Sequence, residues 1–173
     1  MELTLEWTWD GEPLRADERA FVSLRRHGGL WHLEVDAPYF RDLPPAAPPG
    51  STEGLWNHEV VEIFLVEEGS LDDSPRYTEI ELGPHGHFLI LTFRDVRRRA
   101  AVVQPVTYRR GVEGARWWGV LTVQESAMPA SPYRVNAFAI HGPTGARRHF
   151  AYRPLPGTTP DFHQPEAFPA WRD

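Results

Sequence analysis

The sequence contains no cysteine and no lysine in 173 residues. Without cysteine there can be no disulfide framework, no thiol catalysis and no Cys-ligated zinc. Without lysine there is no P-loop, and neither "GPHGHF" nor "HGPTGA" leads into a helical pattern. All 18 basic residues are arginine, a bias attributable to base composition. No stretch approaches the roughly 18 uninterrupted apolar residues of a membrane helix, so no membrane partner is expected. The opening "MELTLEWTWDG" lacks the basic start and apolar run of a secretory signal, which makes a cytoplasmic location the expectation. Basic surface is scarce too. The net charge of −6 speaks against nucleic-acid partners, whose phosphates need a basic face. The clusters Arg97-Arg98-Arg99, Arg109-Arg110 and Arg147-Arg148 fall at probable strand ends, where solvated hairpin rims are expected.

What is present reads as one domain over residues 1–173, long enough to bury a core. "LTLEWTW" alternates as a strand, with Leu3, Leu5, Trp7 and Trp9 on one face. "AFVSLRRHGGLWHLEVDA" reads as a hairpin turning at Gly28-Gly29, and "RYTEIELGPHGHFLILTF" as another turning at 83–86. "AVVQPVTYRR" looks like an edge strand interrupted by Pro105, followed by a strand in "ARWWGVLTVQ". "YRVNAFAIHG" and "RRHFAYRPL" form a last hairpin. Residues 42–54, "DLPPAAPPGSTEG", form a proline-rich surface loop, and 69–75 and 126–133 are connectors. About nine or ten short strands without a convincing amphipathic helix predict an all-β fold, an immunoglobulin-like or jelly-roll-like antiparallel β-sandwich.

One strand breaks the pattern. From Val60 to Val66 the chain is β-branched and aromatic, as in a strand buried on both faces, yet Glu62 sits in its middle. A lone ionised carboxylate there costs several kcal/mol unless it is paired, hydrogen-bonded or wet. With a period of two, Val61, Ile63 and Leu65 point one way and Val60, Glu62, Phe64 and Val66 the other. Tyr77, Glu79 and Glu81 share a face of the next strand, and Arg134, Asn136 and Phe138 a face of the late one. If these strands are neighbours, a sheet face carries Glu62, Glu79 or Glu81, Arg134 and Asn136, with Trp56 at its rim. Carboxylates, a guanidinium and an amide beside an indole suit polyol recognition; a buried ion pair that only fixes the sandwich is the competing reading. Glu62 with Glu79 or Glu81 could also act as an acid–base pair, whereas Glu59 and Glu62 face opposite ways. His85 and His87 have a spacing that could bind metal but sit in a tight turn, where solvent exposure is expected.

"LWNHEVVEIFL" resembles the Trp-x-x-acid-x-x-Glu-x-Phe strand of family 9 carbohydrate-binding modules and the wider DOMON-like superfamily. "YTEIELGPHGHF", "YRVNAFAIHG" and "DFHQPEAFPAW" resemble the hairpin, late strand and terminal segment of the same modules. From about residue 5 to 171 the chain looks like a family of uncharacterised proteins in that superfamily. The resemblance implies that Trp56 and Phe162 are the two halves of an aromatic sandwich around a sugar. It also implies that Glu62 hydrogen-bonds that sugar. Glu81 and Gly83 stand where those modules carry basic residues, which changes the charge of the site. A structural calcium is possible by the same resemblance; no other cofactor is implied.

The function expected is a non-catalytic binding domain for a small polyhydroxylated ligand, a carbohydrate above all. Its ligand residues would be Trp56, Glu62, Glu79, Glu81, Asn136, Phe162 and His163. One alternative is an enzyme that uses Glu62 with Glu79 or Glu81, and His163, on a sugar-like substrate. Another is a protein-interaction or self-association module using Trp56, Phe162 and Trp171. Whether the 42–54 loop covers the cleft is a matter for the structure.

Overall fold

The computed structural model describes residues 1–67, 69, 74–129 and 133–171. Parts of the two expected connectors, 69–75 and 126–133, lie outside the described residues. The rest forms strands joined by turns and short 3-10 segments, with no α-helix among the described residues. The strands are β1 (Glu2–Leu5), β2 (Trp7–Thr8), β3 (Ala20–His27), β4 (Leu30–Pro38), β5 (Gly50–Ser51), β6 (Val60–Glu67) and β7 (Tyr77–Leu82). They continue as β8 (His87–Phe93), β9 (Arg99–Val102), β10 (Thr107–Glu113), β11 (Arg116–Gln124), β12 (Tyr133–His141) and β13 (Arg148–Ala151).

Two sheets result. The five-stranded sheet has the order β1-β3-β4-β11-β10. Its β3–β4 hairpin closes with His27 opposite Leu30. Gly28 and Gly29 both take positive φ, 60° and 77°, as a two-residue turn matched to the strand twist requires. The other sheet has the order β2-β13-β12-β6-β7-β8-β5, with β9 also paired to β8. Every pairing is antiparallel except the short parallel contact of β5 with β8. The expected β-sandwich is therefore observed.

The alternation read from the sequence decides what lies between the sheets. Val61, Ile63 and Leu65 of β6, Ile80 and Leu82 of β7, and Val135, Ala137 and Ala139 of β12 point inward. They pack against Leu3, Leu5, Val22, Leu24, Leu33, Val35, Leu121 and Val123 of the facing sheet. The other face of β6, β7, β8 and β12 is buried as well. Val60, Phe64, Tyr77, Leu91, Phe93 and Phe138 form a second apolar cluster, covered by Leu155, Phe162 and Phe168 of the C-terminal tail.

Two expected strands are each divided between sheets. "LTLEWTW" breaks at Glu6: β1 pairs with β3, and β2 with β13. Leu3 and Leu5 thus enter the inner core while Trp9 joins the outer cluster. "AVVQPVTYRR" is likewise two strands, β9 on β8 and β10 on β11. Pro105 stands at the crossing. The Val103 amide still donates to Ile90 of one sheet, and that of Val106 already donates to Thr122 of the other. Proline, lacking a donor, suits the residue between two partners.

Candidate functional site

Glu62 projects from β6 to the outer face of the eight-stranded sheet. Glu81 stands directly opposite it on β7, and Glu79 lies opposite Phe64. Directly opposed side chains are close neighbours, with Cβ atoms about 5 Å apart. Glu62, Glu79 and Glu81 are 2%, 4% and 0% exposed. Nevertheless Glu62 Oε1 and Glu79 Oε2 have no hydrogen-bond partner, and the Glu81 carboxyl meets the Trp56 backbone N–H without forming a full hydrogen bond. Three buried acids on one small patch with unmatched oxygens are a costly arrangement for a fold alone.

Over this patch lies a cavity of about 640 Å³. Glu62 and Glu79 line it together with Trp56, Phe162 and His163, so five of the seven expected ligand residues converge. Glu81 sits beneath, beside Glu62, and does not line it. Asn136 does not line it either. Its amide donates to the Arg153 carbonyl and accepts from the Arg153 and Ala137 backbone N–H groups, clamping the segment after β13. Arg134 donates to the carbonyl of Phe168 and so holds the tail. Trp171 packs edge-on to Trp31, away from Trp56, so the three aromatics proposed for an interaction patch do not form one surface.

Each wall is fixed by identifiable contacts. Gly54, at φ 77°, opens the 3-10 turn Leu55–Asn57 that carries Trp56, and Trp56 remains 38% exposed at the rim. This turn is pinned by Arg147, whose guanidinium donates to the carbonyls of Trp56, Asn57, His58 and Gly142. Phe162 stacks on Phe138 at 4.0 Å, nearly parallel, so one of its ring faces is already covered. Asp161 and His163 tie the tail to the β8–β9 turn. Asp161 accepts from Arg97 at 2.7 Å, and the Tyr77 hydroxyl lies 2.8 Å from His163 Nδ1. That hydroxyl also accepts the Arg97 backbone N–H. All three groups are satisfied when Tyr77 donates to Nδ1, which leaves His163 neutral with its Nε2–H turned to Glu79 Oε2, 3.9 Å away.

Burial dominates the electrostatics. It pushes Glu62 well up, aided by the charge of Glu79, and pushes Glu81 up, aided by Glu62 and Glu79. Glu79 rises to about 7, because desolvation outweighs the favourable charges of Arg99 and Arg97. His163 falls to about 4, through burial and then the nearby Arg97. Protons thus collect on the carboxyls while the imidazole stays neutral.

Arg97 and Arg99 are exposed near the start of β9, as expected of a solvated rim, but with the half-buried Arg147 they also line the cavity. Arg99 forms a two-pronged ion pair with Glu53. Arg97 lies in the β8–β9 turn at φ 57° and only Arg99 belongs to β9, so no strand period marked the pair. His149 was also passed over and lines the cavity. The expectation for the histidine turn needs correction as well. His87 is buried, and its Nε2 meets the Ala47 carbonyl, while His85 Nε2 meets that of Asp42. With Glu59, which accepts the backbone N–H groups of Phe40 and Asp42, they fasten the start of the 42–54 loop. No residue of that loop lines the cavity. Among the described residues, no group of three His, Asp or Glu side chains could hold a metal ion, and no helix is long and apolar enough to cross a membrane.

No protein-family model matches the chain. Relatives do. UPF0462 protein C4orf33 homolog of Mus musculus is 36% identical over 176 residues, covering 97% of this chain and 89% of the relative. The chain belongs to the UPF0462 family. UPF0462 protein C4orf33 of Homo sapiens is 34% identical, and the Danio rerio homolog 32%, each over 97% of this chain and 86% and 87% of the relative. Among solved structures, the fold is similar to that of a protein from Bacteroides uniformis described as a "putative carbohydrate-binding protein". The TM-score is 0.73, covering 98% of this chain and 84% of that one, at 17% identity. At that identity the likeness concerns the fold.

Proposed function

We propose that this UPF0462 chain binds a small polyhydroxylated ligand, a mono- or oligosaccharide, in the cavity on the outer face of the eight-stranded sheet. The observation that carries this reading is the pair Glu62 and Glu79: acids that line an open cavity while each keeps one oxygen buried without a hydrogen-bond partner. Ligand hydroxyls would hydrogen-bond the cavity side of these carboxyls, and the Trp56 indole at the rim would cover an apolar sugar face. The carbohydrate-binding description of the Bacteroides uniformis protein points the same way. Binding alone, without chemistry on the ligand, accounts for every group named here.

A tryptophan-fluorescence titration of wild type and Trp56→Ala against mono- and oligosaccharides tests the proposal. A saturable change in wild type that the variant weakens at least tenfold supports it. A flat response across the panel overturns it. The approach of His163 Nε2 to Glu79 favours one second reading, acid–base chemistry on the bound sugar. Product release from a ligand that binds would support it.

A further inference from the structure

The cavity is unevenly balanced in charge. Arginines are plentiful in its walls, but each is already committed. Arg97 holds Asp161 through Nη2, Arg99 holds Glu53 with both terminal nitrogens, and Arg147 donates from both terminal nitrogens to four main-chain carbonyls. Among the described residues, none forms an ion pair within 4 Å with Glu62, Glu79 or Glu81. His163, the nearest nitrogen group at 3.9 Å from Glu79, is kept neutral because its Nδ1 accepts from Tyr77. The floor therefore presents acids that no arginine pairs with directly, and Glu81 adds a further carboxyl beside Glu62.

A ligand hydroxyl can satisfy one such oxygen but brings no charge. A primary ammonium brings three donors and a positive charge at once. We propose that the cavity selects a ligand bearing a free primary ammonium on a polyhydroxylated body, an amino sugar, with the ammonium seated on the floor made by Glu62 and Glu79. This rests on the reading of the cavity as a sugar site and narrows it to one class. N-acetylation would remove the charge and add bulk, so acylated sugars are excluded. Because the floor carboxyls hold protons, seating a cation there must expel a proton. The groups that surround the floor act through the same balance: Arg97, Arg99 and Glu53 at the β8–β9 side, Arg147 and His149 beside β13, and Asp161 in the tail.

The test is isothermal titration calorimetry of D-glucosamine, D-glucose and N-acetyl-D-glucosamine, in two buffers of different ionisation heat, at about pH 6.5, where an amine is still charged. Glucosamine is expected to bind at least about tenfold tighter than the other two, releasing about one proton per ligand. Glu79→Gln should remove most of the preference and the proton release. Glu62→Gln serves the same purpose if the first variant does not fold. Equal affinity for all three sugars, or binding of glucosamine without proton release, overturns the ammonium inference and leaves the sugar site standing. Failure of all three, with a flat fluorescence panel, overturns both.

Discussion

The two faces of the eight-stranded sheet are built from alternate residues of the same strands, and both are buried, yet they are closed differently. Toward the facing sheet, β6, β7 and β12 present Val61, Ile63, Leu65, Ile80, Leu82, Val135 and Ala137, all aliphatic, against a surface of aliphatic side chains and the indoles of Trp31 and Trp117. Such a face is closed by shape alone. On the other side the same strands present Glu62, Glu79, Glu81 and Asn136 among aromatic rings. There the cover is a mosaic of turns and tail held by Arg147, Arg97, Asn136 and Tyr77, and it leaves a cavity over the acids. Burial by packing leaves few polar atoms to satisfy, the Trp31 Nε1 and Thr78 hydroxyl among them. Burial by polar clamps can leave room for something else.

The contrast can be broken at several points. Ile80→Ala, on the inner face, is expected to cost about 2–5 kcal/mol in chemical denaturation, because the opposing sheet cannot collapse into the hole. A loss under about 1 kcal/mol would mean that the inner face is no better packed than the outer. Asn136→Ala should cost about 1–3 kcal/mol by leaving the Arg153 main-chain groups unmatched, with ligand affinity unchanged. Lost affinity at unchanged stability would instead place Asn136 among the ligand groups.

The carboxyls should make the outer face sensitive to pH. Glu79 is held at about 7 in the fold against 4.5 ordinarily, so between these values the folded chain binds more protons than the unfolded one. Its contribution to stability is therefore greatest at low pH and declines as pH rises from about 4.5 through about 7. His163, pushed down to about 4, acts in the opposite sense between about 4 and 6.5. The difference between wild type and Glu79→Gln isolates the carboxyl. Denaturation at about pH 5 and about pH 8 should show wild type losing on the order of 2 kcal/mol relative to the variant. A flat difference would mean that Glu79 is ionised and solvated in the fold. The smallest stability effect is expected at the rim, where Trp56→Ala should stay within about 0.5 kcal/mol while abolishing the sugar response.

Much of this was legible in the sequence. Period-two alternation placed Glu62 opposite in direction to Val61 and Ile63, and Glu79 beside Glu81, because a strand leaves its side chains no other choice. The Gly28-Gly29 turn was equally plain, since its backbone angles require glycine. Motif resemblance brought Trp56 and Phe162 to the same cleft. Other features were not legible. The break at Glu6 and the crossing at Pro105 depend on which partner strand each half meets. The place of the arginines in the cavity wall was hidden, because their partners Glu53 and Asp161, and three of the four carbonyls gripped by Arg147, lie 46 to 91 residues away in the chain. His87 looked exposed for the same reason, with its partner Ala47 distant by 40 residues.

The sequence by itself determined most of the strands, the direction side chains take within each, and the presence of acids where apolar residues were due. These follow from local sterics and short-range periodicity. Only the tertiary structure decided that Glu62, Glu79 and Glu81 meet on adjacent strands, that the tail and not the proline-rich loop walls the cavity, and that its arginines are already engaged. Those outcomes depend on contacts across the whole chain, whose energies are settled when the two sheets and the tail close together.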